Sequence, residues 1–241
     1  MKDEIMWNAQ VCRYTYFFEK PMEVDQKYFR DIWSNLDIPV KESSFLESEH
    51  KYFLVGEYKN SAIRLICSPE RVDFVWENSI SSLDKSIGKY PEIITDFVKM
   101  VSVIANNEDK NINRIAYGAI LTDKVKDREE GYKRIFELLP FSFDENYRDM
   151  IFQINKLTKS KIIESLKVNR ITKWAVLKVS PHIVSDNKNI ELSSHFGASL
   201  ELDISTDKDY ENTFSHENII KVFTELTELG EILSKNELKD A

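Results

Sequence analysis

The strongest constraint in this chain is a series of apolar patterns that runs through the same order of elements twice. In "IITDFVKMV" (93–101) and "IIKVFTEL" (219–226), two isoleucines are followed three positions on by a phenylalanine, a helical stripe in each case. Ahead of the first stripe, "QVCRYTYFF" (10–18) is rich in β-branched and aromatic residues and runs into Pro21, which predicts a strand. A helix follows from Asp25, whose carboxylate can cap the free amides, with Tyr28, Phe29, Ile32, Trp33 and Leu36 as its apolar face and Pro39 as its stop. Residues 41–50 read as a polar, acidic connector. "KYFLVGEY", "SAIRLICS" and "RVDFVWE" then form a meander of three strands, turned at Lys59-Asn60 and at Ser68-Pro69-Glu70. A loop leads to Pro91 at the start of a helix that carries the first stripe to about residue 106.

Beyond a polar linker at 106–111 the series starts again. "INRIAYGAILT" (112–122) reads as a strand, and Asp127 with Glu130 has capping-box spacing ahead of a helix marked by Tyr132, Ile135, Phe136 and Leu139 and stopped by Pro140. Residues 149–158, 169–180 and 196–206 read as strands, and a last helix opens near Ser215 and runs through Ile219, Phe223, Leu226, Leu229 and Leu233. Small echoes accompany the repeated order: Arg13 and Tyr16 match Arg114 and Tyr117, while Tyr28 and Arg30 match Tyr132 and Arg134. The expectation is an α+β fold of internally duplicated β-α-β-β-β-α units, residues 1–107 and 108–241, forming one pseudo-symmetric structure of antiparallel sheet and helices. One unit alone would leave a sheet edge open, whereas two can complete each other. The alternative is two separate halves joined near 106–111.

Chemistry is sparse by comparison. His50, His182, His195 and His216 are scattered singly, and Cys12 and Cys67 lie 55 positions apart, so no metal-ligand spacing is present and no metal or cofactor is expected. Each cysteine sits in an apolar run, the setting of a buried structural thiol rather than a nucleophile. Ser193-Ser194-His195 with Glu201 and Asp203 holds the residue types of a hydrolytic triad but lacks a nucleophile turn. With six glycines in 241 residues and no phosphate-loop motif, nucleotide chemistry is disfavoured, and no catalytic residue is assigned. No apolar run is long enough to cross a bilayer, and the polar start "MKDEIMWNAQ" is no signal peptide; a reducing, cytoplasmic setting is expected.

A net charge of −8 disfavours nucleic acid as a partner on average. The average hides an asymmetry, because residues 156–178 carry seven basic side chains against one acid, while residues from 201 onward carry eleven acids against four lysines. Lysines on a strand can guard a sheet edge against other edges. They can also form a patch for an acidic protein, and that reading selects Lys156, Lys159, Lys161, Lys167, Arg170, Lys173 and Trp174 as partner-binding residues. The chain is therefore expected to be a non-enzymatic adaptor or regulator that binds another protein of acidic surface, and it could also form a homodimer. Alternatives are a small-molecule or nucleotide-signal binder with a pocket between the halves, and a hydrolase with an unrecognised site.

"AIRLICSPERVDFVWE", "YPEIITDFVKMV" and "INRIAYGAILT" together resemble an uncharacterised, sporadically distributed bacterial protein family across most of the chain. That resemblance implies no site residue. Patchy distribution of this kind implies a role in mobile-element or antiviral defence systems. The element order is also similar to the TATA-binding-protein saddle, whose strong basicity this chain does not share.

Overall fold

The computed structural model describes residues 5–78, 85–106, 111–139, 149–179, 182–185, 188–191 and 195–235. Its elements in chain order are β1 (Asn8–Phe18), α1 (Gln26–Ser34), β2 (Val40–Leu46), β3 (Lys51–Tyr58), β4 (Ser61–Cys67), β5 (Arg71–Glu77), β6 (Gly88–Lys89) and α2 (Tyr90–Asn106), continuing with β7 (Ile112–Val125), α3 (Arg128–Leu138), β8 (Ile151–Lys159), β9 (Lys167–Val179), β10 (His182–Ser185), β11 (Lys188–Glu191), β12 (His195–Thr206) and α4 (His216–Ser234). The fold is mixed α+β, built on a large antiparallel sheet of order β2-β3-β4-β5-β1-β7-β12-β9-β8, with β6 paired to one end of β1. At its centre β1 pairs with β7 in the register Arg13–Gly118, Thr15–Ala116, Phe17–Arg114.

Local chemistry explains the element ends. The Asp25 carboxylate accepts hydrogen bonds from the Lys27 and Tyr28 amides at the start of α1. At α3 the Asp127 carboxylate takes the Glu130 amide, while the Glu130 side chain reaches back to the Lys126 amide, one residue before the cap. Lys59 and Asn60 both adopt positive φ, as a two-residue turn between tightly paired strands requires, and join β3 to β4.

All four described helices lie on one face of the sheet. Trp33 of α1 sits over Gly56 of β3, and Gly131 of α3 lies against Val176 of β9. Phe97 of α2 stacks on Phe74 of β5 at 5.7 Å, and Phe223 of α4 meets Tyr14 of β1 at 4.6 Å. The two repeated stripes of the sequence therefore meet in space: Phe97 and Phe223 approach to 6.2 Å above the central strands, each contact of this kind contributing about 0.5–1.5 kcal/mol beyond area burial. Gly230 lets α4 settle onto the sheet, since a Cβ there would lie 2.8 Å from the Tyr117 ring and 2.9 Å from the Tyr90 hydroxyl.

Three departures from the sequence reading have physical causes. The expected connector at 41–50 contains β2 followed by a short 3-10 turn, Glu47–Glu49. An edge strand needs only one hydrogen-bonded side, so its exposed polar side chains hid it from an apolar-pattern search. The hairpin of β10 and β11 was likewise not expected, and with the two-residue β6 the first half carries five strands between its helices where three were predicted. Pro140 and most of the proposed 106–111 linker fall outside the described residues.

Replacing Gly230 with alanine should destabilise the fold by about 1–3 kcal/mol through overpacking. A urea unfolding curve should show the lower midpoint with an unchanged slope.

Candidate protein-interaction surface

Side chains alternate across a strand, so each strand that turns one set toward the helices turns the other to the opposite face. On the helix side lie Tyr14 and Tyr16 of β1, Phe74 and Trp76 of β5, Tyr117 and Leu121 of β7, Leu200 and Leu202 of β12, all buried. On the other side lie Arg13, Thr15 and Phe17 of β1, Arg71 and Asp73 of β5, Arg114 and Ile120 of β7, and Glu201 and Asp203 of β12. No described helix covers this second face.

Apolar side chains are exposed there. Of the eight exposed large hydrophobic residues among those described, Leu46, Ile120, Ile151, Leu157 and Leu177 all fall on the uncovered face by strand register. Phe17, Phe53, Val55, Ile66 and Ile171 are half-buried on the same side. These side chains are spread across the face from β2 at one edge to β8 at the other.

The charges on this face are unevenly matched. Arg64 pairs with Glu77 at 2.8 Å, Arg71 with Asp73 at 3.0 Å, and Lys173 with Glu201 at 2.9 Å. Arg13 and Arg114, placed two residues to either side of the central Thr15–Ala116 pair, have no carboxylate within ion-pair distance among the described residues. The Arg13 guanidinium lies flat on Gly118, where a Cβ would sit 3.2 Å from its nearest nitrogen. Arg114 stacks on Phe17 with 4.8 Å from guanidinium carbon to ring centre and donates to the Ser205 hydroxyl at 3.2 Å. In both, Nε is buried and makes no hydrogen bond. Two half-buried guanidinium groups thus stand on this face with no carboxylate partner among the described residues, and a carboxylate is the group their planar donor set fits.

The structure divides the predicted partner-binding residues. Lys156, Lys159, Lys161 and Lys167 are exposed around the end of the β8–β9 hairpin. Lys173 is half-buried and held by Glu201. Arg170 is 4% exposed and Trp174 fully buried, both on the helix side, so neither is open to solvent as the four lysines are. Sequence reasoning noted Arg13 and Arg114 only as echoes of one another. Their shared face follows from the β1–β7 register, which no local pattern encodes.

Other candidates come apart in space. His195 and Glu201 lie on one strand six positions apart, roughly 20 Å at about 3.3 Å per residue, too far for a triad, and Ser193 and Ser194 lie outside the described residues. Cys12 and Cys67 are buried and unbridged. Burial pushes the Cys12 thiol up to about 12, against the opposing effect of a hydrogen bond with Tyr117. The Tyr117 and Tyr90 hydroxyls share a hydrogen bond of 2.8 Å in the same dry region, and burial raises both well above the ordinary phenol range. Among the described residues no three His, Cys, Asp or Glu side chains gather into a metal-sized cluster. A pocket of about 220 Å³ lies between Trp7, Tyr90 and Ser234, and a more open depression of about 540 Å³ lies between α1 and β2. No described helix is long and apolar enough to cross a membrane.

Compared with models of known protein families and with curated proteins, the chain matches none.

With both thiols buried and that of Cys12 held protonated, neither cysteine should react with a disulfide reagent at pH 8 in the native protein, and two thiols should react after unfolding. A rapid native reaction would mean that Cys12 or Cys67 is accessible.

Proposed function

We propose that this chain is a non-enzymatic interaction protein, an adaptor or regulator, whose uncovered sheet face receives a partner protein of acidic surface. The observation that carries this reading is the coincidence of exposed apolar side chains with two arginines that have no carboxylate partner among the described residues, on the one sheet face that no described helix covers. Apolar contact would supply the affinity, and Arg13 and Arg114, already held by Gly118 and Phe17, would lose little freedom on pairing with carboxylates. On a chain of net charge −8, two arginines without a carboxylate partner among the described residues would favour one docking orientation of an acidic surface. A cytoplasmic setting and a part in a defence or mobile-element system belong to the same proposal; the second rests on the family resemblance.

The scaffold reading is part of the proposal. Two units, residues 1–107 and 108–241, descend from one β-α-β-β-β-α pattern and join edge to edge through β1 and β7. Its support is that strand order read outward from the centre is β1, β5, β4, β3 on one side and β7, β12, β9, β8 on the other, with β2 added beyond β3 on the first side alone, and that Arg13 and Arg114 stand symmetrically about Thr15–Ala116. The echoed Arg30 and Arg134 likewise each tie a short helix to the sheet, through Tyr52 and through Asp123.

A second reading takes the pocket beside Trp7 and Tyr90, lined from both ends of the chain, as a small-molecule site. Its volume is below the roughly 300 Å³ at which drug-sized sites begin, which ranks it behind the surface.

Affinity capture of the full chain from cells that carry its gene should recover an acidic protein. Recovery should fall at least about tenfold with Arg13→Ala/Arg114→Ala, a loss that removing two buried charge contacts readily reaches, and should persist with Lys99→Ala on α2. Recovery of the chain alone, or equal recovery with the double variant, would contradict the proposal.

A further inference from the structure

The β8–β9 hairpin holds an electrostatic conflict that the open sheet face does not explain. Residues directly opposite on antiparallel strands point to the same face, and like charges placed so repel. This hairpin contains two such pairs, Lys156 with Arg170 on the helix side and Lys159 with Lys167 on the open side. Arg170 is 4% exposed, its Nε makes no hydrogen bond, and among the described residues no carboxylate stands within ion-pair distance of it. The one acid buried nearby, Glu225 of α4, is engaged by the Ser160 hydroxyl and the Lys161 amide at 2.6 Å each. A buried unpaired cation facing a second cation is costly, and an external anion would relieve it.

The same hairpin ends the sheet. Among the described residues no strand pairs with the outer side of β8, which leaves a free row of backbone donors and acceptors nine residues long. Lysine on an edge often serves only to repel other edges, and it does so best on short polar strands. Here the edge is long and free of proline, with Ile151 64% and Leu157 53% exposed on the open side and Phe152 and Ile154 half-buried on the helix side. Such an edge attracts an extended chain that brings the opposite charge, and it repels a second copy of itself.

We propose that β8 is a strand-addition site, at which an extended segment of an acidic protein pairs with the free edge and sets one carboxylate beside Lys156 and another beside Lys159. Because these lysines differ by three positions and point to opposite faces, the segment must carry its two acids three residues apart. Apolar residues on that segment then cover Ile151 and Leu157. The inference rests on the reading of the partner as an acidic protein but concerns a different place on the sheet, so each can fail alone.

The test uses the full chain and a capped synthetic nonapeptide of valine and threonine with two glutamates three residues apart, beside a version in which lysines replace the glutamates. The acidic peptide should slow amide exchange across 151–159 and bind about tenfold or more tighter than the basic one. Lys156→Glu/Lys159→Glu, both exposed and outside the core, should reverse that preference. Arg13→Ala/Arg114→Ala should leave it unchanged. The proposal is overturned if neither peptide protects β8, if the two bind alike, if the charge-reversed variant keeps the acidic preference, or if the chain protects this edge by dimerising. Protection of β8 by oligothymidylate and not by the acidic peptide would overturn it in favour of nucleic acid.

Discussion

The pairing of β1 with β7 is the constraint on which the rest of the structure depends. It joins strands roughly a hundred residues apart in sequence, and every other strand of the large sheet is placed outward from it. Above it, the phenylalanines of the two long helices meet; below it, Arg13 and Arg114 stand on one face, two residues to either side of the Thr15–Ala116 pair. Breaking that register by one residue would turn the helix-facing tyrosines outward and the arginines inward. Core and surface are thus fixed by the same set of hydrogen bonds.

Much of this was legible in the chain itself because each element carries a local signal. Helical stripes gave α2 and α4 nearly to the residue, the Asp25 and Asp127 caps gave the starts of α1 and α3, and alternation gave β5 and β9. What was hidden lacked such a signal. β2 is polar because only its backbone is used, and the hairpin of β10 and β11 has four residues in each strand, too few to show a period. The candidate surface was harder still to see. Lys156–Lys178 stood out as a run in sequence, yet folding sends Arg170 and Trp174 to one side of β9 and Lys167 and Lys173 to the other. Arg13 and Arg114, solitary in the sequence, come onto one face of paired strands only through a long-range register.

Charge of both signs lies on both sides of the sheet: Glu217 and Glu228 are exposed on α4 and Lys156 and Arg170 stand on the helix side, while Asp73, Glu201 and Asp203 lie on the open face. The open face keeps arginine, whose flat guanidinium can rest on a glycine or a ring without forfeiting its donors.

Hydroxyl-radical footprinting of the chain inside its own cells, set against the purified protein, tests the central claim most directly. The account predicts that Phe17, Ile120 and Leu177 on the open face lose reactivity in the cell while the outward side chains of α2 and α4 keep theirs. Protection confined to the helices, or an identical footprint in both settings, would contradict it.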